Sequence, residues 1–414
     1  MTSAPRSVPL PVDVVIIGGG LVGLSMAVAL GQAGLSVAVV DRESPVIAAA
    51  DPFDGRGSAI AWGSAEALRG LGLWDRLAPH AAPILDIRVS DGDSLLFLHY
   101  DHREVGAPLG YIIENRFTRR ALYARVAEIP NIRLLAPAAV TVLDRGSAAV
   151  TAGLADGRTI TARLAIAADG RGSPMRTMAG IRVMRWDYPQ TGIVCSIRHE
   201  KPHRGIAHER FLPAGPFAVL PLPDSETGEH RSSIVWTERT ELASAMMRLG
   251  EAEFANEIAR RFGDALGAIA LAGPRWAYPL GLLQAERYTD RRLALVGDAA
   301  HLIHPIAGQG LNLGLRDVAA LAECVVDAHR LGLDIGAGDV LTRYQRWRRF
   351  DNIALMAVTD GLNRLFSNDL PPVRLARDIG LALVNRIPPL KRVFMRHAMG
   401  TLGDLPRLVR GEAL

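Results

Sequence analysis

The stretch "VDVVIIGGGLVGLSMAVAL" (residues 12–30) constrains this chain more than any other. Val12–Ile17 is an unbroken apolar run, the pattern of a parallel strand buried on both faces. Leu21–Ala33 carries apolar residues at helical spacing, and "GLSVAVVD" reads as a second strand ending at Asp41. The sum is a βαβ unit. Its turn carries Gly18, Gly20 and Gly23 in the spacing G-x-G-x-x-G. The first glycine permits the tight turn, the second lets a pyrophosphate approach the backbone, and the third lets helix and strand pack closely. Free N–H groups at the helix start favour an anion there. Asp41 stands where a carboxylate accepts hydrogen bonds from a ribose. Strand, helix and acid together predict a Rossmann-like α/β chain that binds a dinucleotide. The pattern alone does not separate FAD from NAD.

Length sets the next bound, since 414 residues allow more than one domain and a large core. No apolar run reaches the ~18 residues of a membrane span. "MTSAPRSVPLP" lacks the apolar region of a secretory signal. The cysteines are Cys195 and Cys324 alone, too few for a disulfide framework and not at metal-ligand spacing. These features predict a cytoplasmic protein. From Pro371 onward eight Arg and Lys face three acids, so the +4 net charge sits in the tail and the rest is near −1. No basic run is interleaved with stacking aromatics, so nucleic acid is not an expected partner.

Helical patterns follow at Ser64–Leu77 and Asn115–Glu128. Residues 132–168 alternate and end in "LAIAADG". Residues 180–290 are strand-like, as in "GIVCSIRHE" and "RSSIVWTE", with one helix at Glu251–Phe262. The buried-strand character returns at "RRLALVGDAAH", and the last eighty or so residues are helical in pattern. The expected architecture is therefore an FAD- or NAD-type domain interleaved with a β-rich one. Residues 1–80, 105–180 and 285–340 form the nucleotide-binding domain. Residues 81–104 and 181–284 form the β-rich substrate domain, and 341–414 a C-terminal helical region.

"GDAAHLIHPIAGQGLNLGLRD" (297–317) raises a separate question. Gly297-Asp298 ends a strand at a carboxyl edge, where α/β sheets bind ligands. "AGQGLN" then opens a helix with unpaired N–H groups. His301 and His304 lie three apart, yet no third ligand at plausible spacing accompanies them, so no metal site is expected. His304 remains a candidate for proton transfer, beside Pro305. No G-x-S-x-G elbow points to a hydrolase.

Other segments carry a resemblance. "AIAADGRGSPMR" (165–176) resembles the Asp-Gly motif of flavoprotein aromatic hydroxylases, and the Gly297-Asp298 stretch their Gly-Asp motif. "HPIAGQGLNLGLRD" (304–317) resembles the signature of the ubiquinone-biosynthesis FAD-dependent hydroxylases, the UbiH/Coq6 family, which are similar to p-hydroxybenzoate-hydroxylase-type monooxygenases. "DGRGSAIAWGS" (54–64), "YIIENRFTRRAL" (111–122), "LFSND" (365–369) and the ending "HAMG…GDLPRL" resemble that family too. The resemblance spans the chain.

It implies FAD as cofactor, with NAD(P)H and O₂ as co-substrates. It implies hydroxylation of the ring of a polyprenyl-phenol ubiquinone precursor through a C4a-hydroperoxyflavin. By position, Gly18, Gly20, Gly23 and Asp41 hold the ADP half. Arg56 and Arg116 lie near the ribityl and phosphates, and Asp169 near FAD and the nicotinamide donor. Gly297 and Asp298 grip the ribityl chain, Pro305 flanks the ring, and Gly308, Gly310, Leu311 and Asn312 wrap its pyrimidine edge. Asp41 stands where the family more often has glutamate, and Trp62 where it has a small aliphatic residue. Arg171, Arg176 and Arg185 are candidates for the phosphate of NADPH. A quinone-biosynthesis complex is a further implied partner. Three alternatives stand beside this reading: a flavin monooxygenase on another aromatic, a flavin reductase on a prenyl lipid, and a flavin-bound scaffold. The apolar run Val373, Leu375, Ile379, Leu381 and Val384, flanked by Arg374, Arg377, Arg386, Lys391, Arg392 and Arg396, suits either peripheral contact with the inner face of the membrane or closure of the core.

Overall fold

The computed structural model describes residues 10–46, 56–92, 97–366 and 386–414. An eight-stranded sheet is built around Leu10–Ile17. That strand pairs in parallel with Val37–Val40 on one side and Thr159–Ala167 on the other. Ile132–Leu135 and Leu293–Leu295 extend the parallel set outward. The register decides what this sheet can do. Ile17 lies opposite Val40 and Ala167, and Ala167 opposite Leu295. Three turns far apart in sequence, at Gly18, Ala168 and Val296, therefore leave one carboxyl edge side by side, next to Asp41.

Helix Leu21–Gln32 is buried over most of its surface. It is sandwiched against Asn115–Glu128 and Gln309–Arg330 as well as the sheet, which explains its lack of a polar face. The expected Ser64–Leu77 helix is instead two, Trp62–Gly70 and Trp74–Leu77. Gly72 between them has φ +70°, a conformation that ends a helix.

The nine-stranded sheet is mostly antiparallel and centres on Val183–His199. Asp86–Asp91 and Phe97–Asp101 join it through a parallel pairing with Ile206–Leu212. Ala81–Ile84 pairs instead with Gly110–Glu114 in a three-stranded sheet. The two faces of the large sheet differ. Ile193, Cys195, Phe217, Ile234 and Trp236 pack under helices Thr240–Arg248 and Glu251–Phe262. The alternate residues Val194, Ala218, Val235 and Thr237 face a cavity.

Helices Gly338–Phe366 and Pro388–Met399 complete the chain. The end of the chain closes the core. Leu408 and Val409 are buried, the Arg407 amide donates to Glu323 at 2.7 Å, and Trp347 Nε1 donates to the Asp404 carbonyl at 2.8 Å. Lys391 pairs with Glu104 at 2.5 Å. The apolar run from Val373 to Val384 lies outside the described residues, as do Asp54 and most of "LFSND". No helix among the described residues is long and apolar enough to cross a membrane.

Candidate active site

A cavity of about 1060 Å³ runs from the carboxyl edge of the first sheet to the free face of the second. It exceeds the ~300–1,000 Å³ of an ordinary small-ligand pocket, room enough for a dinucleotide and a second molecule.

The glycine turn forms one end. A Cβ on Gly18 would lie 2.2 Å from the Ala168 carbonyl oxygen, and one on Gly23 1.9 Å from that of Gly18. Both positions exclude side chains because backbones meet there. A Cβ on Gly20 would meet nothing within 4 Å, so this glycine keeps open space open. Gly19 and Gly20 line the cavity, and so do Asp41 and Glu43. Asp41 accepts the Gly19 amide, and the Glu43 amide at 2.7 Å, which fixes the turn against the second strand.

Asp298 stands in the wall with its side chain exposed to the cavity. Burial raises its carboxyl pKa, only partly offset by His301, Arg171 and Arg56. A carboxylate so placed can accept hydrogen bonds from hydroxyls that enter the space before it. Gly297 behind it has φ +57° and lies against Val22, so a side chain there is excluded. Pro305 and the first turn of helix Gln309–Arg330 continue the wall. No side chain caps that helix, and the N–H groups of Gly310 and Leu311 in its first turn have no acceptor within it. Gly308 has φ +61° and presses on Ala59.

Several expected site residues take other roles. The Asn312 side chain donates to Ala59 O at 2.7 Å and accepts the Ala61 amide at 2.9 Å. It straps the Gly57–Ala61 strand to the helix start, with its second N–H on Gly308 O at 3.1 Å, while still lining the cavity. Arg116 turns to Glu114 at 2.8 Å and lies off the cavity wall; Arg119 and Tyr123, one and two turns on, line it instead. The reason is helical phase: Glu114, itself held by Arg231 at 2.7 Å, draws Arg116 away. Asp169 also turns from the cavity and accepts the Met175 amide at 3.0 Å, while its neighbours Ala168 and Gly170 form the wall. Arg56 does line it, over the Tyr278 ring at 5.7 Å.

His304 is fully buried, and among the described residues neither ring nitrogen has a partner. Burial pushes its pKa down to about 4, and it packs edge-on against Tyr188. It is a neutral packing residue behind the wall, not a proton-transfer group at it. Arg176 is equally committed, donating to Ala299 O at 2.8 Å and Arg171 O at 2.9 Å. Arg185 pairs with Asp187 at 3.0 Å. Trp62 stacks on Tyr111 with Arg69 beside it and does not reach the cavity.

Two residues receive no role from the sequence, although the first closes the stretch 304–317. Asp317 is fully buried and accepts the Gly297 amide at 3.0 Å, His301 Nε2 at 2.6 Å and Arg348 Nε at 2.9 Å. It anchors the Asp298 turn from below. Glu209, on the free face of the large sheet, is the other.

Residues 11–334 match the family described as "FAD binding domain". The chain is 53% identical over 405 residues to ubiquinone hydroxylase UbiL of Rhodospirillum rubrum, covering 97% of this chain and 93% of that protein. It is 36% identical over 395 residues to 3-demethoxyubiquinol 3-hydroxylase of Escherichia coli, covering 94% and 99%. Among solved structures, p-nitrophenol 4-monooxygenase PnpA of Pseudomonas putida aligns with a TM-score of 0.77 at 22% identity, covering 94% of this chain and 98% of that one, a likeness of fold. The chain therefore belongs to the FAD-dependent monooxygenase family that includes the ubiquinone-biosynthesis hydroxylases.

Proposed function

We propose that this protein hydroxylates the aromatic ring of a polyprenyl phenol, a ubiquinone precursor, using FAD, NAD(P)H and O₂. One observation carries the reading: a single cavity joins a dinucleotide-type turn to a mostly apolar sheet face. The names of the relatives support the substrate class.

The residues present fit FAD. Gly18, Gly20 and Gly23 would admit the pyrophosphate, and Asp41 with Glu43 would meet the adenosine ribose. Arg56 and Arg119 would serve the phosphate region. Asp298 would accept hydrogen bonds from the ribityl hydroxyls, and Pro305 would flank the ring. Asp169, Arg116 and Asn312 would support these contacts from behind. When bound and reduced by NAD(P)H, FAD supplies the two electrons that activate O₂ for transfer of one oxygen atom to an electron-rich ring. The protein's part is to hold the ring in place and keep water out. The N–H groups of Gly310 and Leu311 would favour negative charge on a bound cofactor by about 1 kcal/mol.

The apolar wall reaches the surface. Val393 and Phe394 line the cavity yet are 48% and 42% exposed, an outlet suited to a prenyl tail. A tail leaving there would meet lipid, which supports peripheral contact with a membrane.

The test is turnover of a short-chain prenyl phenol under ¹⁸O₂. One ¹⁸O atom in the product ring is expected. Reduction of the substrate without oxygen uptake would replace this reading with the reductase, and no turnover at all with the scaffold.

A further inference from the structure

We propose that Glu209 is the catalytic base that takes the proton from the hydroxyl of the phenol; this rests on the function proposed above. The free face of the large sheet is built of three rows. Ile87, Ala207 and Leu220 form one, Val89, Glu209, Ala218, Val235 and Val194 the second, and Phe211, Pro216 and Thr237 the third. All of these line the cavity. Glu209 sits near the centre of the second row and is its one ionisable residue; Tyr100, beside Ile87, and the buried Asp91, beside Phe211, end the first and third rows.

Its surroundings leave it without a partner. Its cross-strand neighbours are Val89 and Ala218, and among the described residues no hydrogen bond or ion pair engages it. The charged residues on adjacent positions face the other way. Arg210 donates to the carbonyls of Arg261, Phe262 and Gly92, and the His208 ring packs edge-on against Phe262. Arg88 turns towards Asp86, and His99 likewise. The other ionisable groups along the cavity are His208 and Tyr100 on the same sheet, Tyr278 and His397, and, at the glycine-turn end, Asp41, Glu43, Arg56, Arg119, Tyr123 and Asp298; none of them perturbs Glu209. Burial alone pushes its pKa up to about 7.

A carboxylate left unpaired in an apolar wall is costly unless a ligand supplies a donor. A phenol hydroxyl is such a donor. The step is a plain proton transfer: the phenol O–H bond breaks, an O–H bond forms on the Glu209 carboxylate, and the electron pair stays on the phenolate oxygen. The phenolate is the more nucleophilic ring towards an electrophilic oxygen atom. A base with a pKa near the working pH is well matched to this task.

The experiment compares a short-chain prenyl phenol with its methyl ether, which has no proton to give, in the FAD-loaded protein. The wild type is expected to hydroxylate the phenol about 10²-fold faster than the ether, with kcat/KM rising with pH through about 7. In E209Q the phenol rate is expected to drop to that of the ether, and the pH limb to vanish, while the FAD content stays unchanged. E209D keeps the acid on a shorter stem; it should retain the limb at an intermediate rate, and it stands in should E209Q fail to fold. Equal slowing of phenol and ether in E209Q, or an unchanged phenol rate, overturns the assignment of Glu209. Failure of the wild type to hydroxylate any prenyl phenol overturns the function itself, a distinct result.

Discussion

At the scale of single residues, the three glycines of the first turn make separable predictions. Gly20 is extended and its missing Cβ faces open cavity, so Gly20→Val should fold normally and lose FAD. Equal thermal unfolding of the apo forms, with a colourless variant, is the expected result; a yellow Gly20→Val protein would remove the pyrophosphate from this position. Gly23→Ala places a methyl 1.9 Å from a backbone oxygen and should destabilise the fold by about 3 kcal/mol or more, read as a lower denaturant midpoint. Asp298 makes a third case. Its carboxyl pKa is raised in the folded protein, mainly by burial. Such a carboxylate costs stability at pH values where it is ionised, and costs nothing well below the unfolded value near 4. Asp298→Asn should therefore stabilise the apo protein only slightly at pH 7, because the side chain is exposed to solvent in the cavity, and not at pH 3, while weakening FAD retention. An apo variant less stable at pH 7 would mean that the carboxylate is already satisfied by the protein.

At the scale of elements, the Gly297–Asp298 turn is held by helices that come later in the chain. Asp317 on Gln309–Arg330 and Arg348 on Gly338–Phe366 form a buried pair beneath it. Burial opposes the Asp317 charge, but His301 and Arg348 outweigh it and hold the pKa at about 2. The folded value lies below the unfolded one, so the stabilisation is full above about pH 4 and is lost as the pH falls towards 2. Asp317→Asn should lower stability by roughly 3 kcal/mol at pH 7, because it leaves the buried Arg348 with the half-exposed Asp351 as its one carboxylate. The variant should also respond less to acid between pH 4 and 2. A variant as stable as the wild type by chemical denaturation would refute the pair's role. The same turn marks what the sequence could convey. Helices Asn115–Glu128 and Glu251–Phe262 and the βαβ unit are legible because their signal is local: period, caps and glycine spacing. The choice of Arg119 over Arg116 at the wall was not, because it turns on a Glu114–Arg231 contact across 117 residues. Glu209 was hidden for a similar reason. In "IAHERFL" it is one acid among polar neighbours, and only pairing with Val89 and Ala218 reveals an apolar face around it.

At the scale of the whole molecule, the two large sheets share one short piece of chain. Leu293–Leu295 ends in the eight-stranded sheet, and His301–Leu302 pairs with Gln284 and Leu283 in the nine-stranded one. The residues between them include Gly297 and Asp298. The proposed cofactor contacts thus lie at the junction, and a ligand gripping them resists separation of either sheet from the other. Helix Pro388–Met399 adds a second bridge, since Met395 and Met399 pack with Leu98, Tyr100 and Ile112 while Val393 and Phe394 line the cavity. A ligand that binds only the folded state at a thousand times its Kd adds about 4 kcal/mol to stability. If the sheets unfold as one unit, that increment acts on the whole chain. Calorimetry should then give one transition that moves up by several degrees with FAD, carrying the full unfolding enthalpy. If the sheets unfold independently, FAD would shift only part of the enthalpy and leave a second, ligand-insensitive peak. The five residues from Val296 to Ala300 make the first outcome the expected one, because neither Leu293–Leu295 nor His301–Leu302 can leave its sheet without pulling the Asp298 turn away from the cofactor.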